Sequence, residues 1–232
     1  MASAEKETRR RLGLLHQELV GCTACPRLVA WREEVARVKV RRFRDRGYWG
    51  KPVPGFGDPA ARLILVGLAP GAHGANRTGR VFTGDRSGDF LYAALHRAGF
   101  ANQPASVSAD DGLRLSDAYV LTAVRCVPPG NTPRPDEIRR CGAWLAKELT
   151  LLPRARVFLA LGAIAWNAMI PRELRPRPRF AHGAEHRLEA RGATVLGSYH
   201  VSQQNTQTGR LTEAMFGRVL DRARALMAAH SH

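Results

Sequence analysis

Helical spacing of apolar residues opens the chain: over residues 5–20, Leu12, Leu15 and Leu19 recur among charged neighbours, which predicts a helix with one apolar face. In "GCTACPR", Pro26 then permits a turn or a new helix start. The stretch "RGYWGKPVPGFGDP" over 46–59 holds too much Pro and Gly for either regular element and reads as an ordered loop. Beyond it the period changes. Short unbroken apolar runs, "RLILV", "AYVLTAV", "RVFLAL" and "ATVLGSY", read as strands. They alternate with helical patterns over 88–98, 135–149 and 163–170, and a helix over 212–229 closes the chain.

Strand–helix alternation of this kind implies an α/β fold, a parallel sheet with helices on both faces. One domain is expected over residues 1–232, with the first 60 residues packed on it as a helix, a CxxC and a Pro/Gly-rich loop. In such sheets ligands bind beyond the carboxyl ends of the strands. Every unusual loop here follows a strand: 67–85, 125–135 and 200–210.

Composition narrows the partner. The chain carries 36 Lys+Arg against 20 Asp+Glu, a formal charge of +16, which favours a polyanion, nucleic acid first. Only Lys6, Lys39, Lys51 and Lys147 are lysines, so an arginine bias of genome composition is the plain alternative. No window approaches the ~20 apolar residues of a membrane span, and "MASAEKETRR" is not a secretion signal, so a cytoplasmic protein without a membrane partner is expected. Trp31, Trp49, Trp144 and Trp166 are scattered, and core packing is the expectation for each.

Three stretches carry candidate chemistry. The loop "GLAPGAHGANRTGRVFTGD" follows a strand as phosphate-cradling loops do, but it has neither the Gly-Lys-Ser/Thr of a Walker loop nor tight G-x-G-x-x-G spacing. What it offers is backbone room at Gly67 and Gly71, an aromatic face at Phe82 and a carboxylate at Asp85, which suit a flat, polar, neutral ring. Cys22 and Cys25 form a CxxC, and Cys126 and Cys141 must be brought to it by folding. Four thiolates suit zinc or a [4Fe-4S] cluster equally by count, and a disulfide framework is disfavoured in the cytosol. In "SYHVSQQNTQTGR", His200 sits at a strand tip ahead of Ser202, Gln203, Gln204, Asn205 and Arg210, a polar run suited to phosphate and base-edge contacts.

Together, "GLAPGAHGANRTGRVFTGD", "LTAVRCVPPGN", "SYHVSQQNTQTG" and the four cysteines resemble the uracil-DNA glycosylase superfamily, in particular its family 5, the iron-sulfur type B branch. The resemblance runs from Cys22 to about Phe216. It implies a three-layer α/β/α sandwich with a central four-stranded parallel sheet. It also implies a structural [4Fe-4S] cluster on Cys22, Cys25, Cys126 and Cys141, monofunctional base excision, and DNA containing uracil or other damaged bases as partner, with the protein a monomer.

Departures from the family pattern refine this. Related iron-sulfur branches carry an acidic residue where this chain has Leu68, a pyrimidine-reading Asn where it has Ala123, and His-Pro-Ser where it has His200-Val201-Ser202. Without that Asn the site lacks a paired donor and acceptor to reject a wrong base edge, so a range including hypoxanthine is expected. The resemblance assigns Phe82 to stacking on the flipped base, with Gly67, Ala69 and Gly71 offering backbone amides and His73 and Asn76 lining the pocket or bracing the loop. His200 donates to the leaving base. Asp85, in place of the acid absent at Leu68, orients water, and Asn131 holds Asp85 or that water. An Asp before "RSGDF" is equally a helix N-cap. The competing class is a non-catalytic iron-sulfur or zinc nucleic-acid-binding protein.

Overall fold

The computed structural model describes residues 2–229. Helix α1 (Ala2–Val20) buries Leu12, Leu15 and Leu19, and α2 (Pro26–Val38) begins on Pro26, whose missing N–H costs nothing in a first helical turn. Then follow β1 (Phe56–Gly57), β2 (Leu63–Gly67), α3 (Ala75–Thr78), α4 (Arg86–Arg97) and β3 (Ala118–Thr122). The second half runs α5 (Pro135–Thr150), β4 (Val157–Leu161), α6 (Ala163–Met169), β5 (Glu185–Leu188), β6 (Ala193–Ser198), α7 (Gln203–Gln207) and α8 (Glu213–Ala229).

The sheet has six strands in the order β1-β3-β2-β4-β6-β5 and is mixed. Parallel pairing joins β3 to β2, β2 to β4 and β4 to β6, while β1 and β5 add antiparallel edges. This differs from the expected four-stranded parallel sheet, and the cause is compositional. The four apolar runs are buried at every position and announce themselves, whereas β5 is the half-exposed "EHRL" and β1 is two residues inside the Pro/Gly-rich stretch.

Alternate strand residues face opposite layers. Leu63, Leu65, Val120 and Leu159 pack with Leu91 and Leu95 of α4 and Phe216 and Leu220 of α8. Ile64, Val66, Leu121 and Phe158 pack with Leu12 of α1, Leu145 and Leu149 of α5 and Trp166 of α6. Among the tryptophans the core reading fails for Trp31 and Trp49, which are 36% and 37% exposed, while Trp166 is fully buried. Among the described residues no helix is long and apolar enough to cross a membrane.

Two further differences matter for the site. The 67–85 loop contains a turn of helix, α3, and the polar 200–210 stretch folds into α7 rather than staying a loop.

Candidate functional site

Three chain segments converge beyond the carboxyl ends of β2, β4 and β6. Gly67 ends β2, and a Cβ there would lie 2.6 Å from Phe82 Cζ, so only glycine lets that ring cross the strand end. Phe82 has φ 49°, unusual for a bulky residue, and is 7% exposed. Its ring centroid lies 6.2 Å from that of His200, with 39° between the planes.

His200 follows β6 and rests against Gly162 at the end of β4. Asn205 Nδ2 donates to its carbonyl over 2.8 Å, so α7 fixes the backbone that carries the imidazole. The ring itself makes no hydrogen bond among the described residues, and burial pulls its pKa down to about 4. At neutral pH it is therefore an uncharged imidazole with a free N–H.

Asp85 is the N-cap of α4: Oδ1 accepts from Gly88 N over 3.0 Å. Oδ2 lies against Gly71 and Gly74, and a Cβ on Gly74 would come within 1.8 Å of it. Burial pushes the Asp85 pKa up, offset only in part by the backbone donors of the α4 turn. Both roles weighed for this residue are thus compatible, since the cap uses one oxygen and leaves the other.

Contacts far apart in sequence hold the loop. Asn76, fully buried, donates to the Arg32 carbonyl of α2 over 3.2 Å, and its own backbone N–H closes on Gly71 O. His73 Nδ1 lies 3.0 Å from the Tyr48 hydroxyl, which ties it to the Pro/Gly-rich segment, and burial together with Arg77 lowers its pKa. Arg80, also buried, binds Asp111, Ser106 and Thr83 and clamps the turn that precedes Phe82. Tyr48, Arg32, Arg80 and Asp111 escape sequence reading because their partners lie tens of residues away and no local pattern marks them.

The remaining candidates are less central. Leu68 and Ala69 are half-buried on the path from β2. Asn131 ends the turn Pro129–Asn131 with φ 56°, is exposed, and makes no side-chain hydrogen bond among the described residues; the expected link to Asp85 is not made. Ser202 caps α7 and Asn205 braces His200, so both serve the fold locally, while Gln203, Gln204 and Arg210 are exposed. The Arg210 guanidinium lies 4.9 Å over the Tyr199 ring.

All four cysteines are free thiols and line one cavity with Leu19, Leu28, Arg125 and Trp144. Arg32 Nη1 donates to Cys126 Sγ over 3.0 Å, and the Arg125 backbone N–H donates to Cys141 Sγ over 3.2 Å. Among the described residues no three His, Cys, Asp or Glu side chains form a group that could hold a metal ion. A cube of iron and sulfide spans more than one ion, and four thiols around a walled cavity, two of them receiving N–H donors, fit such a group. Arg27 forks onto Glu137 at 2.8 and 2.7 Å, pinning the start of α2 to that of α5 beside Cys25 and Cys141. Deeper in, burial raises the pKa of Glu148, yet the Arg125 charge with hydrogen bonds from His16 and Tyr119 holds it down at about 2.

A larger cleft of about 1290 Å³ lies between α5, α6 and β5, and neither Asp85, Phe82 nor His200 lines it. The site is defined by the strand-end residues.

A parallel-paired α/β sheet thus carries an aromatic ring and a neutral imidazole beyond its strand ends, with a half-buried carboxylate capping α4 in the same loop. The chain belongs to the uracil DNA glycosylase superfamily, whose family model matches residues 54–224. Within it, the chain is similar to proteins named type-5 uracil-DNA glycosylase. That of Thermus thermophilus is 57% identical over 212 residues, covering 90% of this chain and 95% of the relative. A Mycobacterium tuberculosis protein is 54% identical over 209 residues, covering 88% and 78%. One from Pyrobaculum aerophilum is 46% identical over 207 residues, covering 89% of each.

Proposed function

We propose that this chain is a DNA repair enzyme that takes uracil out of DNA by hydrolysing its N-glycosidic bond, leaving an abasic site. The observation that carries this reading is the nearness of the Phe82 ring, lying over Gly67, to the His200 imidazole, in a chain whose relatives are named for that activity. It acts as one domain, as a monomer and in the cytoplasm; its four parallel-paired strands are the family core, to which β1 and β5 are added.

A glycosidic bond inside a duplex is out of reach, so the nucleotide is first extruded, at a cost that damage or mismatch reduces. The flipped base stacks on Phe82, and the amides of the Gly67–Ala69–Gly71 stretch meet its carbonyl oxygens. Gln203, Gln204 and Arg210, exposed on and beside α7, press on the opened DNA. Ser202 and Asn205 hold that helix and His200 in place.

Cleavage leaves negative charge on the base and positive charge on the sugar, so catalysis is mainly electrostatic. His200, neutral because it is buried, donates its N–H to the base oxygen on which charge collects. Asp85 Oδ2 orients the attacking water and faces the cationic sugar, while Oδ1 stays on the α4 cap. Asn131 acts on the water or the DNA from the rim, and His73 braces the loop through Tyr48. A [4Fe-4S] cluster on Cys22, Cys25, Cys126 and Cys141 supplies structure rather than chemistry. With Ala123 in place of a pyrimidine-reading Asn, hypoxanthine and other deaminated bases also enter.

Incubation with a uracil-containing oligonucleotide followed by alkali tests this directly: strand scission at uracil is expected, with a weaker signal at hypoxanthine. No scission at either base would remove the enzyme from this reading.

A further inference from the structure

Behind the 67–85 loop lies a second cleft, about 470 Å³, walled by the turn Arg41–Phe43, residues 106–108 and the N-terminus of α4. Asp85 lines it too, so it backs directly onto the residue assigned to water. We propose that this cleft is a phosphodiester site that grips the strand carrying the target base. The proposal rests on the reading of DNA as substrate.

Four guanidinium groups surround the cleft: Arg42, Arg46, Arg77 and Arg86. Arg77 is pre-set. Its Nε donates to His73 O over 2.8 Å, its Nη2 to Gly84 O over 3.1 Å, and its Cζ lies 4.0 Å over the Phe43 ring, while Nη1 makes no hydrogen bond among the described residues. Arg42 lies 4.9 Å over the same ring. Among the described residues neither Arg42, Arg46 nor Arg77 forms an ion pair with a carboxylate, and Arg86 has only Asp89 at 3.9 Å.

Burial, with the charges of Arg42 and Arg46, lowers the Arg77 pKa against the opposing influence of Tyr48 and Asp85. The twelve-residue helix α4 adds the positive end of its dipole, since Asp85, Arg86 and Asp89 of its first turn line the same space. Asp85 Oδ1 is taken by the helix cap and Asp89 lies 3.9 Å from Arg86, so the four guanidinium groups outnumber the two carboxylates of the lining. A cleft with three unpaired arginines, one of them held rigid by backbone carbonyls, suits a doubly coordinated phosphate oxygen pair. Because Asp85 forms its wall, the phosphate it holds is one adjacent to the extruded nucleotide.

The test uses the full chain and a duplex containing a tetrahydrofuran abasic analogue, which cannot be cleaved, with binding read by fluorescence anisotropy across a salt series. Arg42 and Arg46 are exposed and make no hydrogen bond that holds the fold, so the Arg42→Ala/Arg46→Ala protein is expected to fold. Its slope of log affinity against log salt should fall by about 0.9, the value for one phosphate no longer neutralised. A control, Arg114→Ala/Arg154→Ala, removes equal charge near the amino ends of β3 and β4 and should leave the slope nearly unchanged. An unchanged slope in the first variant, or equal losses in both, overturns the subsite in favour of a diffuse basic field. If the slope falls as expected while the unmodified protein releases no base, the subsite stands and the enzymatic reading fails instead.

Discussion

Phe82 lies across Gly67 so closely that a single methyl on the strand end would sit 2.6 Å from its ring. The contact helps set where the Phe82 ring lies, 6.2 Å from that of His200, and so gives the last residue of β2 a part in the site without any side chain of its own. Gly67→Ala should therefore displace the ring, costing about 1–3 kcal/mol by overpacking. Base release should fall more steeply than stability, because the Phe82–His200 spacing changes with it. Denaturant unfolding beside a single-turnover assay checks this, and full activity in a destabilised protein would show that the ring does not face the base.

The two oxygens of Asp85 separate its two roles. Asp85→Asn keeps an oxygen for Gly88 N, and Asn caps helices as well as Asp does, so the thermal midpoint should hardly move. Release of uracil should drop at least a hundredfold. Asp85→Ala loses the cap as well and should cost about 1 kcal/mol in addition. A fully active Asn variant would leave Asp85 with its structural role alone.

What the sequence discloses of this site follows from where each contact's partner lies. The central strands are readable because burial on both faces writes an unbroken apolar run, and Asp85 and His200 are readable because they end or begin motifs next to such runs. Edge strand β5 is half-exposed and polar, so nothing in "EHRL" distinguishes it from a loop. The scaffold of the loop is hidden for a different reason: Asn76 meets Arg32 of α2, His73 meets Tyr48 of the 46–59 segment, and Arg80 meets Asp111 of the stretch before β3 only once each has folded against it. Asn131 shows the converse, since proximity to the same rim suggested a bond to Asp85 that the exposed turn does not make.

Activity at low pH should report Asp85 rather than His200. Burial raises the Asp85 pKa, so the reactive carboxylate is lost as pH falls through that raised value. His200, lowered to about 4 from an ordinary 6.5, should leave no inflection near 6.5. Stability follows the opposite assignment. Between pH 6.5 and 4 the unfolded chain binds a proton at His200 that the folded chain refuses, so this residue makes stability fall as the solution is acidified. Asp85 works against it: the folded chain holds its proton to higher pH than the unfolded chain, so its contribution is present at low pH and lost as pH rises through the folded value. A His200→Gln protein should accordingly lose less stability between pH 6.5 and 4 than the parent, yet keep the same acid limb in whatever residual base release it retains. An acid limb that disappears with His200 would reassign the titration.

Asn76 links the cysteine cavity to the base loop. Arg32 donates to Cys126 Sγ at 3.0 Å with its side chain and accepts from Asn76 at 3.2 Å with its carbonyl, so one residue of α2 touches both. Asn76→Ala would remove this extra bond to a carbonyl that also accepts within α2, a loss of about 0.5–1.5 kcal/mol. It would also remove Asn76 Oδ1, which is buried with no hydrogen-bond partner among the described residues, and this offsets part of the loss. A net cost near 1 kcal/mol is expected, with faster amide exchange concentrated in residues 71–79. Because α2 reaches the cavity through Arg32, removing the proposed cluster with a chelator should accelerate exchange in the same residues. Exchange confined to the cysteine segments after chelation would mean that the cavity and the base loop are mechanically independent.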